Sequence, residues 1–87
     1  MITSAHYNIS NTAVKIAAAS TGYRAVHVHV IGNAAIYLNG KNTVTTANGF
    51  YLDKNAGPQV FQVGPGEELW AIAGNSAQTV TVLVTGP

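Results

Sequence analysis

Ionisable side chains are scarce in this sequence. Its 87 residues include three carboxylates, Asp53, Glu67 and Glu68, and 8% of the chain is charged, where soluble domains average about 25%. Asn, Thr, Ser and Gln fill the polar positions instead. Because neutral amides and hydroxyls lose less free energy on burial than ions do, another protein can cover such a surface at a small desolvation cost. The composition therefore favours a protein that packs against partners over one that performs chemistry.

Other absences exclude further classes of protein. The net charge is +1 and the Lys and Arg residues are scattered, whereas nucleic-acid binding requires several clustered cations that neutralise phosphates. No stretch approaches the ~20 apolar residues of a membrane helix. The first residues lack the basic segment and apolar run of a signal peptide, so we expect synthesis in the cytoplasm. The chain has no cysteine, which leaves the redox compartment open.

Alternation of apolar and polar residues with period two runs through almost the whole sequence, and helical periodicity is nearly absent. The clearest strand spans residues 23–31, where three valines face one way and His27 and His29 face the other. Turn signals such as Gly32-Asn33 and Gly64-Pro65-Gly66 separate the strand patterns. Seven or eight short strands with regular turns predict one all-β domain over residues 1–87, a small antiparallel sandwich or barrel.

Three segments and the apolar content permit finer predictions. Residues 34–39 are predicted to form the return strand of a hairpin with residues 23–31. Residues 41–48 are polar and β-branched, which predicts either an extended loop or a thin edge strand. Residues 1–20 are predicted to form either edge strands or an arm. The apolar content of 47% is high for a small β-domain. It indicates either a core rich in small residues such as alanine or apolar surface that is buried between copies of the chain, and we favour the second.

His27 and His29 are the one constellation with the character of metal ligands. Histidines two apart on a strand project from the same face, and a metal requires a third ligand, here from His6, Glu67 or Glu68. Jelly-roll metal enzymes with His-x-His place a glutamate a few residues later, and this chain has none there. We favour the alternative, that both histidines line a polar sheet face or a symmetric subunit contact, and we expect no metal and no cofactor.

No residue pattern supports catalysis. Glu67 and Glu68 are adjacent, and adjacent residues on a strand point to opposite faces, so the two carboxylates cannot act on one substrate. No serine lies in a nucleophile elbow. Gly64-Pro65-Gly66 cannot cradle a phosphate, because proline removes an amide donor and no helix follows. We expect no catalytic residue and no enzymatic activity.

Four of the aromatic residues in the predicted strands are candidates for a binding surface: Tyr37, Phe50, Tyr51 and Trp70. They are suited either to a platform that stacks on sugars or to a subunit interface. A single Trp in a small β-domain is more often a core or interface anchor, and the strands are too short to bury every large apolar group. We therefore predict that these four residues form the subunit interface, and we retain a glycan-binding module as an alternative.

Four segments resemble small structural proteins of tailed-phage particles. They are Ile-Tyr-Leu-Asn-Gly at 36–40, Val-Thr-Thr-Ala-Asn-Gly-Phe at 44–50, Gly-Glu-Glu-Leu-Trp-Ala-Ile-Ala at 66–73 and Val-Thr-Val-Leu-Val-Thr at 80–85. Similar chains combine a strand that ends at an Asn/Gly turn, a Thr-rich stretch that runs to Gly-Phe, a late Gly-Glu-Glu-Leu strand and a Val/Thr-rich end. The likeness extends from residue 34 to residue 85 and contains no catalytic signature.

The resemblance implies a virion protein, most simply a capsid decoration (cement) protein that binds the outer capsid lattice and stabilises it. The implied partners are the major capsid protein and further copies of the chain, most often in a trimer, with no nucleic acid and no membrane. The alternatives are a minor head–tail or tail component and a glycan-binding module of a tail or head fibre. For the capsid contact we predict three large residues of the N-terminal segment: Ile2, Tyr7 and Ile9.

Overall fold

Two four-stranded antiparallel sheets pack face to face in the computed structural model, in which residues 2–74 and 77–86 are described. The predicted all-β fold is confirmed, and it is a sandwich. Sheet A has the strand order β1-β8-β3-β6, and sheet B has the order β2-β7-β4-β5. A 3₁₀ turn at Lys54–Ala56 lies between β5 and β6. The eight strands are β1 (Ile2–Ile9), β2 (Val14–Ala17), β3 (Arg24–Val30), β4 (Ile36–Asn39), β5 (Phe50–Leu52), β6 (Gln59–Val63), β7 (Leu69–Ala73) and β8 (Gln78–Thr85).

The strand order is that of a jelly roll. Eight antiparallel strands divide between two sheets so that β1 pairs with β8, β2 with β7 and β3 with β6, as two interleaved Greek keys require. Jelly rolls occur in viral capsid domains, in lectins and in metal-binding enzymes. The architecture therefore agrees with several functions, and the function has to be argued from the surfaces.

The predicted hairpin between residues 23–31 and 34–39 is wrong. β3 lies in sheet A and β4 lies in sheet B, so the loop between them carries the chain from one sheet to the other. The buried Gln78 holds this crossing in place, since its Oε1 accepts a hydrogen bond of 2.9 Å from Ala34 N. Gly32-Asn33 correctly marks the end of a strand. A turn signal does not say whether the strands on its two sides pair.

The core fills the space between the two sheets with aliphatic side chains. Strict alternation in β3 buries every second residue, so that its valines point inward while His27 and His29 point outward. Full burial of a Val or Ile side chain contributes about 1.5–3 kcal/mol relative to exposure. The largest fully buried side chains come from five strands, and they are Ile9, Ile16, Val26, Val28, Val30, Ile36 and Val80.

The described part of residues 1–20 forms the two edge strands β1 and β2. β1 pairs with β8 through eight consecutive residue pairs without a register shift. β2 pairs with β7, and its register shifts between Lys15 and Ala17, which brings both Ile16 and Ala17 into the core. Of the two predicted alternatives, edge strands are the one observed in this part of the chain. Met1 lies outside the described residues.

The segment of residues 41–48 is a loop, one of its two predicted forms, and it covers part of the outer face of sheet B. Its Val44 is buried, yet it does not belong to the core between the sheets. Gly49 brings the loop back against the sheet, since a Cβ at this position would stand 2.5 Å from Tyr37 Cβ and 3.1 Å from Val44 Cγ2. A hydrogen bond of 2.9 Å from Gly49 N to Thr45 O closes the loop.

We expect Gly49→Ala to lower the free energy of unfolding by about 1–3 kcal/mol, because the added methyl group overpacks this site. The atoms it meets are Tyr37 Cβ and, at 3.0 Å, the backbone oxygen of Thr45, and neither is the free end of a flexible side chain. Urea unfolding measures the effect. Gly40→Ala is the matched control, since its Cβ meets Glu68 O at an ordinary 3.5 Å. Equal stability of the two variants would contradict this packing.

Candidate binding face

Among the described residues, the outward-facing strand positions of sheet A include no Lys, Arg, Asp or Glu, and we call this surface the uncharged face. Alternation along each strand sends one residue to the core and the next to this face. The face is formed by Ile2, Ser4, His6 and Asn8 of β1, Thr79, Thr81, Leu83 and Thr85 of β8, Ala25, His27 and His29 of β3, and Val60 and Gln62 of β6.

The antiparallel register arranges this face in rows that cross the sheet. Apolar side chains are exposed in it, with 72% of Ile2, 53% of Val60 and 37% of Leu83 accessible to solvent. Hydroxyl, amide and imidazole groups surround them. One row across the four strands is Ser4, Leu83, His27 and Val60, and the row beside it is His6, Thr81 and His29.

A groove of about 380 Å³ runs along the middle of the uncharged face. The three histidines of the chain, His6, His27 and His29, line it together with Leu83 and Pro58. The groove thus offers imidazole nitrogens as hydrogen-bond donors or acceptors beside apolar carbon. It is suited to receive a protruding side chain of a partner protein.

The histidines are not brought together with a set of metal ligands. His27 and His29 share the outer face as their spacing predicts, and His6 lies two strands away across Thr81. Within residues 2–74 and 77–86, no group of three or more His, Cys, Asp or Glu is arranged to hold a metal ion. The other proposed ligand Glu67 bonds elsewhere, since its Oε1 accepts from Gly64 N at 2.7 Å. The position of His27 and His29 fits the sheet-face alternative.

The charged side chains lie on other parts of the molecule. The sequence has four Lys or Arg residues and three carboxylates. Lys15 and Glu68 form an ion pair of 3.4 Å on the outer face of sheet B, and Arg24 is buried at the start of β3. The others belong to loops: Lys41 between β4 and β5, Asp53 and Lys54 between β5 and β6, and Glu67 between β6 and β7. These charged side chains therefore lie outside the uncharged face of sheet A.

Trp70 is half-buried on the outer face of sheet B and is held by two charged neighbours. Its Nε1 donates a hydrogen bond of 3.0 Å to Glu68 Oε1, and Lys15 Nζ lies 5.7 Å from the centroid of its ring. The hydrogen bond from Trp70, with a smaller contribution from Lys15, lowers the pKa of Glu68 below its ordinary value against the opposing effect of burial. The ring is therefore engaged within the chain and is no open platform for a sugar.

We expect the fluorescence of Trp70, the only tryptophan of the chain, to report the protonation of Glu68. Because the folded-state pKa of Glu68 is lowered, its stabilising contribution is complete above pH 4.5 and is lost as the pH falls through the lower folded-state value. The fluorescence transition should thus have its midpoint below pH 4.5. Glu68→Gln should remove the transition. A midpoint at or above 4.5, or a transition that persists in the variant, would contradict this contact.

The four aromatic residues predicted for the subunit interface do not form one patch. Tyr37 and Tyr51 share the outer face of sheet B with Trp70, and the rings of the two tyrosines lie 5.6 Å apart, edge to face. Phe50 points the other way and contacts Phe61, with centroids 5.9 Å apart, at the open edge between the sheets. Tyr51 and Phe50 are 57% and 61% exposed.

Tyr51 is an exposed aromatic side chain beside a carboxylate. Its hydroxyl group donates a hydrogen bond of 3.0 Å to Asp53 Oδ2, and this bond raises the pKa of Tyr51 above 10.0. Asp53 also caps the 3₁₀ turn, since its Oδ1 accepts from Asn55 N at 3.0 Å. An exposed aromatic ring next to a fixed carboxylate is the arrangement on this chain that suits a sugar hydroxyl best.

The structure separates the three residues predicted for the capsid contact. Ile2 lies on the uncharged face and is strongly exposed, whereas Tyr7 is half-buried and packs against the core. Ile9 is completely buried in the core, so it cannot contact a partner and leaves the predicted set. The reason is the register with β8, which turns the odd-numbered residues of β1 inward.

Sequence reasoning missed Arg24, which closes one end of the sandwich. Its side chain is buried, and its guanidinium group donates hydrogen bonds to Ala18 O, to Glu67 O at 2.9 Å and to Gly64 O at 3.4 Å. Ala18 lies in the loop between β2 and β3, and Glu67 lies in the loop between β6 and β7, so that Arg24 ties together two loops that connect the sheets. The sequence indicates this burial through the alternation of β3, because Arg24 occupies one of the inward positions that the valines of this strand also occupy.

Comparison of the chain with protein-family models, with curated proteins and with solved structures finds no match. In the described part of the chain, no helix has the length and apolar character needed to cross a membrane. The surfaces described above and the resemblance of the four sequence segments are therefore the features of this chain that bear on its function.

Proposed function

We propose that this protein is a structural protein of a tailed-phage virion, a capsid decoration protein that binds the outer lattice of the major capsid protein and stabilises it. The observation that carries the proposal is the uncharged face, which extends over all four strands of sheet A. A decoration protein needs a broad, chemically inert contact surface. A complete sheet face without Lys, Arg, Asp or Glu provides one.

The energetics of covering such a face favour binding. An ion that is buried without a partner costs several kcal/mol, whereas hydroxyl and amide groups need only exchange one hydrogen bond for another. The exposed Leu83 and Val60 lie in one row of the face, with Thr, Ser and Gln side chains around them. This arrangement matches protein–protein contacts, which combine an apolar centre with a polar rim.

The opposite face of the sandwich is less suited to broad contact. The loop of residues 41–48 covers part of it, and the Lys15–Glu68 ion pair occupies another part. Burial of that ion pair would cost the desolvation of two charges. The difference between the two faces supports attachment through sheet A, with sheet B turned toward solvent or toward neighbouring copies.

The resemblance to phage structural proteins supports the virion assignment and adds an oligomer to it. It leads us to expect a symmetric homo-oligomer, with a trimer as the common form, and Tyr37, Tyr51 and Trp70 remain the predicted subunit contacts on sheet B. Several weak contacts repeated by symmetry give strong total binding to a lattice. A small domain with a modest contact face is adequate under these conditions.

Binding to empty capsid shells tests the proposal. The shells are assembled from the major capsid protein encoded in the same genome, and the purified chain is added in increasing amounts before sedimentation. We expect saturable co-sedimentation and a higher temperature of shell disruption. Shells that neither bind the chain nor gain stability would contradict the proposal, and binding to isolated tails instead would assign the chain to a tail component.

A glycan-binding module is the second candidate, and the exposed Tyr51 beside Asp53 favours it. A glycan array with the wild-type chain tests it directly. Tyr51→Ala should abolish any binding, and Phe50→Ala is the matched control, because Phe50 has similar exposure but points away from Asp53. Absence of binding on the array, or equal binding by the two variants, would exclude this site.

A further inference from the structure

β1 is the longest edge strand of the sandwich, and one of its edges has no partner strand. It has eight residues, compared with three in β5, four in β2 and five in β6. Its inner edge pairs with β8 along the full length of both strands. In residues 2–74 and 77–86 no strand pairs with its outer edge. A row of backbone N–H and C=O groups is therefore available to another chain.

β1 also lacks the features that normally protect an edge strand from pairing. Such protection comes from short length, from Lys or another charge, from proline or from a bulge. Ile-Thr-Ser-Ala-His-Tyr-Asn-Ile contains no proline and no Lys, Arg, Asp or Glu, and its register is unbroken. In contrast, β2 carries Lys15 and a register shift, β5 is very short, and β6 follows Pro58.

We infer that β1 pairs with β1 of a second copy of this chain, antiparallel and about a two-fold axis perpendicular to sheet A. The two sheets A then form one continuous sheet of eight strands. Because β1 has no like charges that would oppose one another, it is compatible with itself as a neighbour. Pairing over its length supplies roughly eight backbone hydrogen bonds, comparable with the ~10 of a typical protein interface.

The burial pattern of β1 restricts the register of this pairing. Opposite residues in an antiparallel pair lie on the same face of the sheet. Even-numbered residues of β1 face outward and odd-numbered residues face the core, so each residue must meet a partner of the same parity. The two-fold axis therefore passes through a residue, Ala5 or His6 near the middle of the strand. A shift by one position would turn the core residues of one copy outward.

The second copy is a better occupant of this edge than the β6 strand of a neighbour in a trimer. Pairing of β1 with β6 would match eight residues with five and leave three of β1 unpaired. Pairing of β1 with itself in the permitted registers matches about seven of its eight residues on both sides, residues 2–8 or 3–9. A closed two-fold contact is also the commonest symmetry of soluble oligomers. The geometry of β1 thus favours a dimer over the trimer that the resemblance implies.

The two-fold pairing places the uncharged faces of both copies side by side on one surface. An axis perpendicular to the sheet rotates each face in its own plane and does not turn it over. The dimer therefore presents one continuous uncharged face of twice the width, and a lattice would bind it at two points. This consequence depends on the proposed function, whereas the pairing itself depends only on β1.

Single cysteines test the pairing, since the chain has none of its own. Ser4→Cys, His6→Cys and Asn8→Cys place a thiol on the outer face of β1, and Gln62→Cys places one on the same face in β6 as a control. With a short bismaleimide at low protein concentration, we expect covalent dimers most readily from His6→Cys, which lies at the axis or one residue from it, less readily from Ser4→Cys and Asn8→Cys as their distance from the axis grows, and monomer from the control. Light scattering should give a native mass of twice the 9.0 kDa chain. A monomer, a stable trimer, or cross-linking of the control in place of the β1 variants would overturn the inference.

Two lysine variants separate this inference from the proposed function. His6→Lys and Gln62→Lys each place one lysine on the uncharged face. We expect His6→Lys to raise the dimer dissociation constant at least about tenfold, because in either register the two lysines are opposite or diagonal neighbours across the axis, and Gln62→Lys to leave it unchanged. Equal dimerisation by both variants would overturn the pairing. A monomeric wild type that binds shells overturns only the pairing, and a dimer that does not bind them overturns only the proposed function.

Discussion

We expect Arg24→Met to lower the free energy of unfolding by about 3 kcal/mol, because three partly buried carbonyl oxygens lose their charged donor. Methionine fills a similar volume but leaves Ala18 O, Gly64 O and Glu67 O without the guanidinium group. A domain of this size has a total stability of only ~4–13 kcal/mol. The loss is therefore a large fraction of the whole, and urea unfolding followed by circular dichroism measures it.

Lys15→Met is the matched control for Arg24→Met. It also replaces a cation with methionine, but the Lys15–Glu68 pair is exposed, with 43% and 33% of the two side chains accessible. Solvent screens such a pair, so we expect a loss of less than ~1 kcal/mol. Arg24→Lys should fall between the two, because an ammonium group cannot reach three carbonyls in the same fork geometry. Equal small losses for Arg24→Met and Lys15→Met would contradict the role of Arg24.

If the chain is a capsid decoration protein as proposed, we expect Leu83→Lys to weaken binding to capsid shells by at least ~100-fold while the fold stays intact. Leu83 is 37% exposed in the middle of the uncharged face, and a lysine there can extend its charge into solvent in the free chain. On the shell that charge is covered without a partner, which costs on the order of 2–5 kcal/mol. Co-sedimentation with shells measures the loss, and urea unfolding confirms that stability is retained.

Thr46→Lys controls for the added charge of Leu83→Lys. Thr46 is exposed in the loop over sheet B, on the opposite side of the sandwich. We expect Thr46→Lys to bind shells like the wild type. Full binding by Leu83→Lys, or equal loss in both variants, would show that the uncharged face is not the contact surface.

The all-β fold was predictable because β-strand alternation is local information. Val26, Val28 and Val30 had to face the core once residues 23–31 formed a strand, and His27 and His29 then had to face outward. Strand partners are not local. The turn signal Gly32-Asn33 was read as a hairpin, yet the chain crosses there to the other sheet.

The candidate face was only partly predictable. Composition showed that charge was scarce, but the segregation of the charges depends on which strands are neighbours. Each of the strands β1, β8, β3 and β6 has uncharged outward residues, and only the pairing of these strands places those residues together on one face of sheet A. The same pairing buries Ile9 in the core, although the sequence of the N-terminal segment predicts Ile9 for the capsid contact.

Arg24 shows how a polar residue at an inward position was overlooked. The sequence-based interpretation treated it as one of several scattered cations, whereas its phase in β3 placed it inside the sandwich. Its three carbonyl acceptors belong to loop residues that lie 6, 40 and 43 positions away from Arg24 along the chain. No local pattern predicts such partners, since they depend on how the two sheets close at that end.

An electron cryomicroscopy reconstruction of capsid shells saturated with the chain tests the central claim most directly. The prediction is added density on the outer lattice, with the uncharged face of sheet A against the shell and the loop of residues 41–48 turned away from it. Density in which sheet B contacts the shell would contradict the role of the uncharged face. Shells without added density would contradict the decoration function itself.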